Sequence, residues 1–144
     1  MQAPVFDKNI KVQELQDFSK NTLSDHLGIE FLEVGDDFVS ARMPVDDRTV
    51  QPHRLLHGGA SVALAETLGS LASSLLIDRA SQAVVGLEIN ANHIKSAREG
   101  FVIGTASPIH LGKKTHVWDI RIENEDKQLV SISRLTVAII DRKK

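Results

Sequence analysis

A chain of 144 residues, 42% hydrophobic and 25% charged, has the size and make-up of one globular domain with a real core. Its 17 basic and 19 acidic residues leave a net charge of −2, so no strong field draws in nucleic acid or a membrane surface. The absence of cysteine excludes disulfides, thiolate metal sites and a cysteine nucleophile, and no uncharged apolar run is long enough to cross a bilayer.

Residues 1–9 read as a loose lead-in, and MQAPVFDKNIKVQEL lacks the apolar stretch of a signal peptide, which gives the expectation of a cytoplasmic protein. Over about 10–20, Val12, Leu15 and Phe18 or Ser19 recur near helical spacing and predict a short amphipathic helix. A further turn spans Thr22 to Leu27, with Thr22 as cap, and Gly28 ends it. Ile29–Val34 and Phe38–Met43 are strands joined at Gly35-Asp36-Asp37, and Pro44 stops the pairing. A polar loop leads into the longest low-charge stretch, Gln51 to Ile77. It reads as a long helix over about 58–77 that opens on His57-Gly58-Gly59 and carries one acid, Glu66.

After a breaker at residues 78–82, four strands follow at Ala83–Lys95, Gly100–Ile109, Thr115–Asn124 and Gln128–Ile140. Their connections are short, which predicts an antiparallel meander. The fold class is α+β, one domain over residues 1–144: a curved antiparallel sheet wrapped around one long helix. Twenty helical residues span about 30 Å, comparable to the width of such a sheet.

Glu66 is the first candidate for chemistry. At i+3 and i+4 spacing Gly59, Val62, Glu66 and Ser70 share one stripe of small or polar residues, while Ala63, Leu64, Leu68 and Leu71 face inward. A solvated surface acid is the competing reading, and the near absence of other charge between Gly58 and Ile77 weighs against it. Two glycines at a helix start are unfavourable by about 1 kcal/mol each. They leave bare N–H groups at the positive end of the helix, a place for an oxygen bearing negative charge. His93 lies on an apolar strand face in phase with Leu87, Ile89 and Ala91, where a satisfied core histidine is the plainer reading. Lys95, Arg98, Lys113 and Lys114 fall in two strand connections read as neighbours; they are either a solvated charged face or a site for substrate phosphates. Histidine spacing argues against a metal, no cofactor is implied, and no Gly-x-Ser-x-Gly elbow is present.

Three blocks carry a family likeness: QPHRLLHGGASVALAETLGS, VVGLEINANHIKSAREG and PIHLGKKTHVW. They resemble the hotdog-fold acyl-CoA thioesterases, in the subgroup of the 1,4-dihydroxy-2-naphthoyl-CoA hydrolases of menaquinone biosynthesis and the enterobactin-pathway proofreading thioesterase. The resemblance runs from about Leu23 to Ile140. It implies hydrolysis of an aromatic acyl-CoA by a dimer with its sites at the interface, two dimers pairing into a tetramer. It implies Glu66 as nucleophile or general base, Gly58 as N–H donor to the thioester oxygen, and His57 and Gln51 as orienting groups. Ser70 and His93 would line the acyl pocket. Gly86, the run His93, Ile94, Lys95, Ser96 and the loop His110, Leu111, Gly112, Lys113, Lys114, Thr115 would contact substrate, largely its CoA part. The chain departs from the family's usual Gln-Pro-Phe-Gly-Leu-Leu-His by carrying His53-Arg54 in place of Phe-Gly. A broad-specificity acyl-CoA hydrolase, a hydroxyacyl-thioester dehydratase and a non-catalytic acyl-CoA-binding module are the alternatives. If the helix runs from His57, that residue and Glu66 fall about 180° apart around its axis, which favours a site shared by two chains.

Overall fold

A computed structural model describes residues 3–143. In chain order the elements are α1 (Val12–Phe18), α2 (Leu23–His26), β1 (Glu30–Val34), β2 (Val39–Pro44), α3 (Gly58–Ser74), β3 (Gln82–His93), β4 (Phe101–Leu111), β5 (Thr115–Asn124) and β6 (Leu129–Asp141). The six strands form one antiparallel sheet in the order β1-β2-β4-β5-β6-β3, and α3 packs against β2 through β6. This is the hotdog arrangement: a sheet curled around one helix.

The close fit of helix to sheet rests on small residues. A methyl group on Gly69 would meet Leu135 Cδ2 at 2.6 Å, and one on Gly104 would meet Leu68 Cδ1 at 2.7 Å. Ala60, Ser61, Leu64, Ala65, Leu68, Gly69, Ala72 and Ser73 form the buried face of α3. Ala63 and Leu71, expected to face inward, are half-buried and line cavities instead. The sheet's inner face supplies Val39, Val102, Trp118, Ile120, Leu135 and Val137, all inaccessible to solvent. Large-to-small changes among such residues cost about 2–5 kcal/mol each.

Several expectations need correction. Of the lead-in, residues 1 and 2 lie outside the described residues, but Phe6 is buried and stacks on Trp118 at 6.2 Å. Hydrogen bonds from the N–H groups of Val5 and Phe6 to the Asp36 carbonyl hold it there. On α1 it is Ser19, not Phe18, that turns inward; Phe18 is 70% exposed. Pro44 does not stop β2 but pairs with Phe101 as its last residue. The four C-terminal strands are not a simple meander, because β3 lies beside β6 rather than β4. The link 94–100 crosses the ends of β6 and β5, roughly 14 Å at 4.8 Å per strand, which seven extended residues span easily. A short connection therefore did not require neighbouring strands. Within β3 a bulge between Gly86 and Glu88 shifts the alternation, so Ile89, Ala91 and His93 face the helix while Leu87 sits in the irregularity, 61% exposed. α3 ends at Ser74, three residues short of Ile77, as Leu75 closes its last turn.

Candidate active site

The loop before α3 is built to hold a rigid helix start. Thr49, buried, donates its hydroxyl to the Pro44 carbonyl at 2.7 Å, and its own carbonyl accepts from His57 N–H at 2.8 Å. His57 then serves as N-cap, its Nδ1 accepting from Gly59 N–H at 2.7 Å. An acceptor Nδ1 puts the proton of the neutral ring on Nε2, leaving that nitrogen as an exposed donor. Among the described residues no acceptor takes the Gly58 N–H, the first of the helix. Gln51 turns the same way: its side-chain oxygen accepts from His53 N–H, so its amide NH₂ is the end left to donate outward.

His53-Arg54 sits in this turn, and Arg54 has φ 63. That is the left-handed region where a side chain costs about 1–2 kcal/mol and glycine costs nothing, which accounts for the family's usual glycine there. Here an ion pair from Arg54 to Asp47 holds the turn.

Gln51 and Gly58 open into a cavity of about 270 Å³ shared with Ser61, His93, Ile94, Lys95 and Ser96. His93 stands directly over the helix start, where a methyl group on Gly58 would meet its Nε2 at 2.8 Å. Glycine at 58 thus lets His93 close over the helix start, where a methyl group would push its exposed ring aside.

Glu66 lies elsewhere. It lines a larger cavity of about 460 Å³ together with Ser70, Thr67, Leu71, Val84 and Phe18. Its carboxylate passes under β3 at Gly86, where a methyl group would fall 2.5 Å from Oε1. α3 begins at Gly58, not His57, so Gly58 and Glu66 are about 80° apart around the axis and both face β3. The expected opposition across the helix is thus replaced by separation along it: about 12 Å of helix, and about 23 Å of strand between Gly86 and His93.

A family profile described as "Thioesterase superfamily" matches residues 53–131. The 1,4-dihydroxy-2-naphthoyl-CoA hydrolase of Escherichia coli is 48% identical, covering 94% of this chain and 99% of its own length. A proofreading thioesterase of Cronobacter turicensis is 46% identical, covering 94% and 98%. A thioesterase of Pseudomonas aeruginosa, solved as a glutamine-to-alanine mutant, superposes with a TM-score of 0.93 at 46% identity, over 96% of this chain and 99% of that one. The chain belongs to the thioesterase superfamily.

The chain is therefore a thioester hydrolase. Of the expected site residues, Gln51, Gly58, His93, Ile94, Lys95 and Ser96 gather at one end, and Glu66, Ser70 and Gly86 at the other. His57 caps the helix beside Gly58 and faces a third cavity with Leu23, Arg48 and Ala63. His110 and Leu111 end β4, Gly112, Lys113 and Lys114 make the turn and Thr115 opens β5, and none of them lines either of these two cavities. Lys113 and Lys114 do not neighbour Lys95 and Arg98 as the sequence order had suggested. An 11-residue strand, β4, separates the two connections, so they sit at opposite ends of the sheet, roughly 35 Å apart. Residues that the sequence did not single out also line the Glu66 cavity, among them Phe18, Arg79 and Arg142. Phe18 carried a signal of its own, since one apolar position too many on a short amphipathic helix leaves one side chain over.

Proposed function

We propose that this thioesterase hydrolyses an aromatic acyl-CoA, with 1,4-dihydroxy-2-naphthoyl-CoA as substrate, at sites shared between two chains of a dimer. The observation that carries the reading is the division of the machinery. The carboxylate and the helix N-terminus open into different cavities under opposite ends of β3. β3 is 12 residues long, ends the sheet and leaves one edge unpaired, with Val85 and Leu87 exposed on it. A long apolar edge is a template for pairing with another strand. Antiparallel pairing of two β3 strands about a two-fold axis between Ile89 and Asn90 sets Gly86 of one chain opposite the partner's His93. Glu66 then faces the partner's Gly58 and Gln51 across one cavity.

In that arrangement the thioester carbonyl oxygen lies on the Gly58 N–H at the positive end of α3, with the Gln51 amide as a second donor. His57 positions this helix start by capping it. Glu66 acts on the opposite side of the carbonyl carbon, either by attack to form an acyl-glutamyl anhydride and expel CoA thiolate, or by taking a proton from the attacking water. The acyl group lies along Ser70 toward Leu71, Val84 and Phe18, in a cavity of about 460 Å³ that is wide enough for two fused rings. Ile94, Lys95 and Ser96 from one chain and His110 through Thr115 from the other hold the CoA part, with Lys113 and Lys114 on its phosphates. The 48% identity to a naphthoyl-CoA hydrolase supports the aromatic assignment. The 46% identity to a proofreading thioesterase supports a second reading, removal of mis-charged aryl groups in siderophore synthesis.

A panel of naphthoyl-, benzoyl- and straight-chain acyl-CoAs, followed by free-thiol release, tests the substrate class. The expected order of kcat/KM is naphthoyl over benzoyl over straight-chain; a preference for straight chains would sink the aromatic assignment. Water addition without thiol release would mean a dehydratase, and binding with neither a sensor. Lys113→Ala with Lys114→Ala is expected to raise KM for an acyl-CoA about tenfold, at roughly 1 kcal/mol or less per exposed charge contact, without changing KM for the matching N-acetylcysteamine thioester. Gly86→Ala puts a methyl group where the Glu66 carboxylate now lies. Displacement by about 1 Å is expected to lower kcat on the order of 10²-fold while the melting temperature moves little. An unchanged kcat would show that Gly86 does not position Glu66.

A further inference from the structure

The Glu66 cavity carries opposite charges at its two ends and is apolar between them. From Glu66 it follows α3 past Ser70 and Ser74, and the start of β3 closes its side at Gln82 and Val84. Eight residues of helix set the Glu66 and Ser74 ends about 12 Å apart. Leu71, Ile77, Val84 and Phe18 make the wall between. Arg79, in the turn that joins α3 to β3, and Arg142, just past the end of β6, line the far end. Pairing of β6 with β3 places Arg142 there: its N–H donates to the Ser81 carbonyl at 2.9 Å. Gln82 and Gly86 are four residues apart on β3, about 13 Å, so the strand repeats the separation seen along the helix.

Neither guanidinium is matched to an acid. Among the described residues no ion pair involves Arg79 or Arg142. Asp78, next to Arg79 in sequence, uses its carboxylate to close its own turn, accepting from Ala80 N–H at 3.0 Å and from the Ser81 hydroxyl at 2.7 Å. Arg79 also borders a smaller hollow with Asp7 and Glu14 and pairs with neither. Arg142 is anchored at the base of its head group, where Nε–H donates to the Gln82 carbonyl at 2.9 Å. That bond holds the guanidinium at the cavity and leaves its two terminal nitrogens as donors. A planar fork of this kind matches a carboxylate or phenolate oxygen.

We propose that Arg79 and Arg142 form a cationic subsite for the distal end of the acyl group, selecting acyl-CoAs whose ring bears an acceptor oxygen remote from the thioester. The proposal rests on the reading of the Glu66 cavity as the acyl site and narrows the substrate class from aryl to oxygenated aryl groups. The two charges also orient the substrate. An anionic oxygen turned toward Glu66 meets a like charge, and at the far end it meets two cations. The thioester carbon is thereby left beside the carboxylate.

The test compares 4-carboxybenzoyl-CoA with benzoyl-CoA by free-thiol release, in the wild type and in Arg79→Gln with Arg142→Gln. The intrinsic reactivity of each thioester is the same whichever protein is used, so a change in the ratio of kcat/KM values reads the subsite alone. Loss of a charge-assisted hydrogen bond is expected to lower the ratio, carboxylated over plain, about tenfold. If the double variant does not fold, Arg79→Gln alone removes no hydrogen bond seen among the described residues and is expected to lower the ratio about threefold. A ratio that the substitutions leave unchanged would overturn the proposal. Equal losses on both substrates would also overturn it, because they would put the arginines on the CoA phosphates common to the pair. If neither aryl-CoA is cleaved even by the wild type, the aromatic reading of the cavity falls and the subsite falls with it. Cleavage of both at a ratio indifferent to the arginines removes the subsite alone.

Discussion

Glu66→Gln is expected to lower kcat for an acyl-CoA by about 10²–10⁴-fold, the range a positioned base supplies, with KM little changed. Glutamine is nearly isosteric with glutamate but can neither attack a carbonyl nor accept the proton of water. Among the described residues Glu66 makes no ion pair and no side-chain hydrogen bond, so the exchange removes no structural contact. Stability should stay within about 0.5 kcal/mol of the wild type. A melt and a thiol-release assay on the same sample separate the two effects. Near-wild-type turnover would remove Glu66 from the chemistry, and loss of activity with an equal loss of fold would leave it a structural residue. A single turnover in isotope-labelled water tests for the anhydride: label entering the Glu66 carboxylate marks it, since water can open it at the glutamyl carbon, whereas label confined to the released acid follows from water attack at the acyl carbon by either route.

The Glu66 side of this site was legible from the sequence because helix periodicity is a local property. Val62, Glu66 and Ser70 are all half-buried on one stripe, as their spacing required. The strands were legible for the same reason, and β5 has the expected bounds. What failed was anything set by distant partners. β3 runs beside β6, and nothing in the composition of either strand says so, because a seven-residue link permits more than one neighbour. Once β3 is placed there, Gly86 comes to rest over Glu66, whereas the separation of the lysine connections follows from β4 alone, whose two ends they occupy. A glycine in a strand announces only that something approaches closely. Arg54 hid its left-handed backbone for the opposite reason, since arginine is not the residue that normally marks one. His116 and Trp118 were two positions of an alternating strand, and only the arrival of Ser73 from α3, whose hydroxyl meets both rings, turns them into a network.

Two inactive variants are expected to restore each other. Glu66→Gln disables one half of the site and Gln51→Ala the other, the second by removing a carbonyl donor at a cost of about 10²-fold or more. Each homodimer then has two defective sites. In a heterodimer of a two-fold symmetric pair, one site combines both defects, while the other draws its intact Glu66 from one chain and its intact Gln51 from the partner. Random assortment makes half the dimers mixed, and with one working site in each the unfractionated mixture should recover about one quarter of wild-type activity and the doubly tagged mixed dimer about one half. Co-expression of the two chains, purification through two different tags and a thiol-release assay measure this directly. A site contained within one chain predicts no recovery, because every chain carries one lesion. The same logic fixes the dependence on the β3 edge. Leu87→Lys places a charge on the exposed strand edge without touching the core, so it should separate the dimer and abolish activity even though Glu66, Gly58 and Gln51 remain in place. A monomer that stayed fully active would refute the shared site as surely as a failure of the two variants to complement.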